Sequence, residues 1–303
     1  MGRVLVADAI EESAMAKIKA AGLEVVVRNK DTDGPIEEQI KGFDCVVVRS
    51  ATKITKEVID ASDCLKLVVR AGVGLDNVDK EAANERGIVV QNTPEAPTVS
   101  VAEMVFALMF AMARNVTQAD SSMKDERWEK KKLTGTELWN KTLGIIGYGR
   151  IGCEVAERAK AFGMRVCAYD VLDIGQICME MGTEKTEFLD LIKRADYITI
   201  HVPLVPQTKG MFGEKEFVLM KKTAFLVNTA RGGVVDEKAL LNALNEGEIA
   251  GAALDVFENE PPLDWKLVKH PRLVATPHLA SSTEEAQVRV GELTADKVIE
   301  GLK

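Results

Sequence analysis

Short apolar runs, most of them rich in β-branched residues, alternate along this chain with stretches whose apolar positions recur every three or four residues. In the first third the runs are RVLVAD (3–8), LEVVVR (23–28), DCVVVRS (44–50), LKLVVRA (65–71) and GIVVQN (87–92). Helical patterns such as EESAMAKIKAAG, closed by Gly22, lie between them. From residue 143 the series restarts with LGIIGYG, MRVCAYD, DYITIHV, TAFLVNT, AALDVF and RLVATPH. Near-continuous apolar runs predict strands buried on both faces, as in parallel sheets covered by helices. Two such series predict an α/β protein of two doubly wound parallel-sheet domains. One long helix is expected from Ser100 to about Met123, and a last helix from about Thr283 to Lys303 is expected to return to the first domain. The expected division is therefore 1–98 with 284–303, and 99–283, with a cleft between the two.

Composition narrows the class. A chain of 303 residues exceeds one ordinary core, and 46% hydrophobic with 28% charged residues suits a soluble globular protein. A formal net charge of −8 argues against nucleic acid or an anionic membrane as a general partner. The five cysteines, Cys45, Cys64, Cys153, Cys167 and Cys178, form no CxxC pair and fall in or beside apolar runs. They are expected to be reduced and mostly buried, with neither a disulfide framework nor a metal site, as in a cytoplasmic protein. The N-terminus enters a strand pattern with no signal-peptide character. The most apolar segment, VAEMVFALMFAMA (101–113), carries Glu103 and is too short to span a bilayer.

Chemistry concentrates in a few places. In LGIIGYGRIGCEVAERA, Gly147, Gly149 and Gly152 spell G-x-G-x-x-G after a predicted strand and before a predicted helix. The first glycine permits the tight turn, the second lets the backbone approach a pyrophosphate, and the third allows close helix–strand packing. The next strand ends in Asp170, placed for ribose hydroxyls, and no arginine follows it. NAD is therefore expected over its 2′-phosphorylated counterpart. Arg49, Arg70 and Arg231 stand at the carboxyl ends of predicted strands, where open α/β sheets bind ligands. In an acidic protein they suggest grips on an anionic small molecule, although a strand-end arginine also simply reaches solvent or pairs locally. Gly72 and Gly74 flank Val73 in a turn whose N–H groups suit an anion nest.

Of three histidines, His270 reads as a loop residue, and His201 reads as lining the adenine pocket. His278, in ATPHLAS, is either a turn residue or a proton-transfer group. A buried histidine beside the carboxylate of Glu260 would suit the second role.

Taken in order, GYGRIG, NTARGG, DVFENEPP and TPHLASSTEEA resemble the D-isomer-specific 2-hydroxyacid dehydrogenases. VVVRSATKIT, RAGVGLDNVD, SVAE, SSMKDERWEKKKLTGTELWNKTLGIIG and GAALDVF are similar to the phosphoglycerate-oxidising branch of that family. The resemblance covers essentially the whole chain. It implies a Rossmann-type cofactor domain and a flavodoxin-like substrate domain. The implied reaction is NAD-dependent oxidation of D-3-phosphoglycerate to 3-phosphohydroxypyruvate, in serine biosynthesis. By position it makes Arg231 the carboxylate anchor, Glu260 the acid that holds the histidine, and His278 the acid–base. It places Arg150 and Ile151 on the pyrophosphate, and Val73, His201, Val202, Pro203, Thr229, Ala230, Asp255, Leu279 and Ala280 along the cofactor. Arg49 and Arg70, with Gly72, Val73 and Gly74, fall at substrate-holding positions.

The resemblance further implies a homodimer through the helix 100–123 and the basic segment near Lys130, with Lys130 the candidate for a basic residue supplied across it. Ala280 stands where glycine is more usual, an expected difficulty if the backbone there is left-handed. Many relatives continue into regulatory domains where this chain stops at Lys303. A short form or a truncated chain is expected, without serine feedback through an appended domain. A glyoxylate or hydroxypyruvate reductase and a non-catalytic NAD(H)-sensing co-repressor remain alternatives.

Overall fold

Alternate residues of each apolar run feed opposite cores, which is why the runs are continuous. The computed structural model describes residues 2–303. Val4 and Val6 enter one core while Leu5 enters another, and Cys45 and Val47 are divided from Val46 and Val48 in the same way. The chain forms two compact units, Met1–Pro97 with Ser282–Lys303, and Thr98–Ser281.

The first unit opens with β1 (Arg3–Val6), α1 (Glu12–Ala20), β2 (Glu24–Val27), α2 (Ile36–Gln39), β3 (Cys45–Val48), α3 (Lys56–Ala61), β4 (Leu67–Arg70), α4 (Lys80–Glu85) and β5 (Val89–Asn92). Its sheet is wholly parallel, in the flavodoxin-like order β2-β1-β3-β4-β5. The order reverses between β1 and β3, so the loops leaving those strands diverge and leave room between them.

The second unit contains α5 (Thr98–Ala113), α6 (Val116–Lys124), β6 (Thr142–Ile146), α7 (Arg150–Ala161), β7 (Arg165–Tyr169), α8 (Gly175–Glu180) and β8 (Glu184–Lys185). It continues with α9 (Phe188–Arg194), β9 (Tyr197–Ile200), α10 (Glu214–Leu219), β10 (Phe225–Asn228), α11 (Glu237–Glu246), β11 (Gly251–Leu254) and β12 (Leu273–Ala275). Seven parallel strands run in the order β12-β11-β10-β9-β6-β7-β8, with the reversal between β6 and β9. One face packs Ile146, Ile198, Leu226 and Leu254, and the other packs Ile145, Tyr197, Val227 and Ala253 beneath α5 and α7.

The final helix, α12 (Glu284–Gly301), rejoins the first unit and packs on α1 and β4. The Thr283 hydroxyl caps it by accepting the Ala286 N–H. Val290, Ala295 and Val298 of its buried stripe cover one face of the five-stranded sheet. Each buried valine there contributes roughly 1.5–3 kcal/mol.

One expectation is corrected. The stretch from Ser100 to Met123 is two helices bent by 63°. The carbonyl of Ala113 accepts the N–H of Thr136 at 2.7 Å, and Asn115 turns left-handed at φ 51°. The approach of residues 134–136 therefore takes a bond that a continuing helix would use. Of the cysteines, Cys64 is exposed and Cys153 only half-buried, while Cys45, Cys167 and Cys178 are buried. Among the described residues no single helix is long and apolar enough to cross a membrane.

Candidate active site

The glycine turn after β6 is shaped by two close approaches and one opening. A side chain at Gly147, where φ is 90°, would lie 2.5 Å from the His201 carbonyl oxygen. One at Gly152 would lie 2.5 Å from the Gly147 oxygen. A side chain at Gly149 would meet nothing within 4 Å. Gly149 precedes α7 as its N-cap and supplies no side-chain cap, so the opening at Gly149 lies beside the first turn, with Arg150 and Ile151, at the positive end of the helix dipole. That is the cradle an anionic pyrophosphate needs.

Asp170 follows β7, where its Oδ2 accepts the Tyr148 N–H at 2.8 Å and its Oδ1 the Leu172 N–H at 3.0 Å. The carboxylate is thereby fixed beside the glycine turn. His201, after β9, is the next neighbour along the carboxyl edge, with Nε2 3.0 Å from Thr199 Oγ1. Burial pushes its pKa down to about 3, so the ring is neutral. His201 Nδ1 and Thr229 Oγ1 are buried and without a protein partner. Orphaned polar atoms at the ends of adjacent strands, beside an uncapped helix, fit a dinucleotide with its own donors and acceptors. Val202 and Ala230 are half-buried, and Pro203 and Leu279 are exposed at the same edge.

Arg231, Glu260 and His278 come from three separate loops that are joined by a continuous set of contacts. Asn228, buried at the end of β10, accepts the Ala230 N–H at 3.0 Å and donates to the Arg231 carbonyl at 2.8 Å. This folds the chain back, with Arg231 Nη1 donating to the Ala230 carbonyl at 2.6 Å. Gly232 then touches the next loop, since a side chain there would lie 1.8 Å from the Phe257 carbonyl oxygen. The Phe257 N–H donates to Glu260 Oε1 at 3.1 Å, and Glu260 Oε2 lies 2.7 Å from His278 Nδ1. A carboxylate only accepts, so Nδ1 carries the hydrogen and Nε2 is left to exchange a proton.

Two readings of this region change, and Asp255 gains a structural role. Asp255, expected along the cofactor, is fully buried. Its carboxylate accepts the Leu279 N–H at 2.7 Å, the Ala280 N–H at 2.8 Å and the Thr276 hydroxyl. The Asp255 carbonyl also accepts the His278 N–H at 2.8 Å, so Asp255 is the post on which the histidine loop is wound. The left-handed residue of this loop is His278 at φ 55°, while Ala280 has no positive φ. Histidine tolerates that region better than most residues, and alanine at 280 carries no such cost. Finally, His278 is not buried, its side chain being 45% exposed and that of Glu260 40%.

In the first unit, Arg49 follows β3 and Arg70 ends β4, on adjacent strands of the sheet. Arg49 Nη2 donates to Gln287 Oε1 of α12 at 2.5 Å. The Arg70 guanidinium lies across Gly72, where a side chain would come within 1.8 Å of Nη1. The nest is smaller than expected, because the Gly72 N–H already donates to Thr93 Oγ1 at 2.8 Å. Val73 and Gly74 are left to supply its N–H groups, and the Asn92 amide holds the Val73 carbonyl. Sequence reasoning missed Asn228, Thr93, Gln287 and the buried Asp8. Asn228 and Asp8 were signalled only as polar residues at the ends of apolar runs.

Residues 106–280 match the family described as D-isomer specific 2-hydroxyacid dehydrogenase, NAD binding domain. The chain is 48% identical over 299 residues to D-3-phosphoglycerate dehydrogenase of Methanocaldococcus jannaschii, covering 98% of this chain and 57% of that one. It thus spans little more than half the length of this curated relative. It is similar to the structure of a glyoxylate reductase from Paecilomyes thermophila, with TM-score 0.90 and 30% identity over 99% of this chain and 95% of that one. It is also similar to a D-lactate dehydrogenase from Aquifex aeolicus complexed with NAD and lactic acid, with TM-score 0.85 and 30% identity over 98% and 94%. An uncapped glycine turn, a fixed carboxylate after β7 and orphaned polar atoms along one sheet edge find their explanation here: the chain belongs to the D-isomer-specific 2-hydroxyacid dehydrogenases, and residues 106–280 are its NAD-binding domain.

Proposed function

We propose that this protein oxidises D-3-phosphoglycerate to 3-phosphohydroxypyruvate and catalyses the reverse reduction. The observation that carries this reading is the 2.7 Å Glu260–His278 pair, linked by contact to the Arg231 loop. The identity to a phosphoglycerate dehydrogenase points to the substrate. When bound, NAD supplies the hydride acceptor for C2 of the substrate. His278 Nε2 takes the hydroxyl proton, and the Glu260 carboxylate on Nδ1 orients the ring and stabilises the imidazolium that forms. In the reductive direction the same nitrogen returns the proton to the carbonyl oxygen. Arg231 holds the substrate carboxylate through its planar fork of donors, with the Val73 and Gly74 N–H groups assisting. Arg49 and Arg70 hold the phosphate. The N–H groups of Arg150 and Ile151 receive the pyrophosphate and Asp170 the ribose.

The similarity to a glyoxylate reductase favours a second reading, reduction of an unphosphorylated 2-oxoacid. One experiment separates them: NADH oxidation with 3-phosphohydroxypyruvate, hydroxypyruvate and glyoxylate, by the wild type, Arg49→Ala and His278→Ala. The first reading expects preference for the phosphorylated substrate, with KM for it raised about ten- to hundredfold in Arg49→Ala. It also expects kcat lowered roughly 10²–10⁴-fold in His278→Ala at unchanged NADH affinity. Equal turnover of glyoxylate would establish the second reading, and near-wild-type kcat in His278→Ala would remove that residue from the chemistry.

The protein is further proposed to be a homodimer. Val116, Ala119 and Met123 share one face of α6, with Val116 51% and Met123 56% exposed. Burial of these side chains against a second copy would remove them from water.

A further inference from the structure

We propose that Asp8 is a positioning residue for Arg49, and that Lys30 is present to cancel its charge. The proposal rests on the reading of Arg49 as a phosphate holder. Asp8 follows β1, on the strand adjacent to β3, and is only 6% exposed. Its Oδ2 accepts the Arg49 N–H at 2.6 Å and the Thr52 N–H at 3.1 Å. Its Oδ1 accepts the Thr52 hydroxyl at 2.7 Å and pairs with Lys30 Nζ at 2.5 Å. From the other side, Asn77 Nδ2 donates to the Arg49 carbonyl at 2.7 Å and the Thr52 carbonyl at 2.5 Å. Both backbone polar groups of Arg49 are therefore fixed, one by a carboxylate and one by an amide, while Gln287 holds the guanidinium.

A buried carboxylate behind a phosphate grip is a poor choice unless its charge is offset, because it repels the ligand through a medium of low dielectric. Lys30 supplies that offset at contact distance. Burial alone would raise the pKa of Asp8, but the bonds from Lys30, Thr52 and the Arg49 backbone outweigh it and hold the group below the usual 3.8. The arrangement gives Arg49 a rigid base where a flexible loop would have to be ordered at each binding event.

The test is a double-mutant cycle on Asp8→Asn and Arg49→Ala, read as KM for 3-phosphohydroxypyruvate, kcat, and NADH affinity by fluorescence. Asp8→Asn is expected to raise KM about tenfold, with kcat and NADH affinity within about twofold of wild type. On the Arg49→Ala background it should add less than about twofold, since there is then nothing to position. Asn77→Ala, which releases the same loop from the opposite side, should reproduce the KM effect and serves if Asp8→Asn does not fold. An unchanged KM in the variants, or an equal further loss on the Arg49→Ala background, overturns the proposal alone. An unchanged KM in Arg49→Ala itself overturns the phosphate reading, and the proposal with it.

Discussion

His201 carries a cost at the level of a single side chain that appears only in acid. Its folded pKa of about 3 lies below the usual histidine value of 6.5 because burial disfavours the charged ring. Between those values the unfolded chain binds a proton that the folded chain does not, so stability falls as pH drops from 6.5 towards 3. The stability of the wild type minus that of His201→Asn, from urea unfolding, should therefore decrease as pH falls from about 7 to about 5. A difference independent of pH would mean that the ring titrates normally. The contrast with His278 is environmental: one ring is enclosed with an orphaned nitrogen, the other is half-exposed with its Nδ1 on a carboxylate. Nothing in IHVPL or TPHLA announces this difference, since the neighbours that set it are distant in sequence.

At the level of elements, the glycine turn before α7 separates fold from ligand. Gly147→Ala places a side chain 2.5 Å from the His201 oxygen at a φ of 90°, a strain on the order of 1–3 kcal/mol or more. Gly149→Ala has ordinary backbone geometry and open space, so the fold should accept it while the methyl fills the pyrophosphate approach. Expected are a clear fall in Tm for Gly147→Ala, and an unchanged Tm with NADH affinity reduced at least about tenfold for Gly149→Ala. Equal NADH affinity in Gly149→Ala and wild type would refute the cradle. The strands and this turn were legible because their signals are local: unbroken apolar runs, and three glycines at fixed spacing. The break at Asn115 was not, because the Thr136 N–H that ends α5 arrives from 23 residues away in sequence, across an intervening helix. The loss of the Gly72 N–H from the nest is equally invisible in the sequence, since Thr93 takes it from across a strand connection.

At the level of the molecule, the apolar face of α6 makes association testable. Met123→Glu together with Val116→Glu should shift the protein from twice the chain mass to the chain mass in sedimentation, with NADH binding retained. A wild type that sediments as a monomer at micromolar concentration would refute the dimer. The return of α12 has a different consequence, one of timing. The first unit is closed only after the second has been synthesised, because Val290 and Val298 of α12 join Ala14 and Ile18 of α1 on the sheet face formed by Val4, Val6, Val47 and Val69. During synthesis that face has α1 but lacks its α12 cover while all of Thr98–Ser281 is made. A nascent chain in this state exposes apolar surface that the finished unit buries, and that exposure ends only when α12 has been translated.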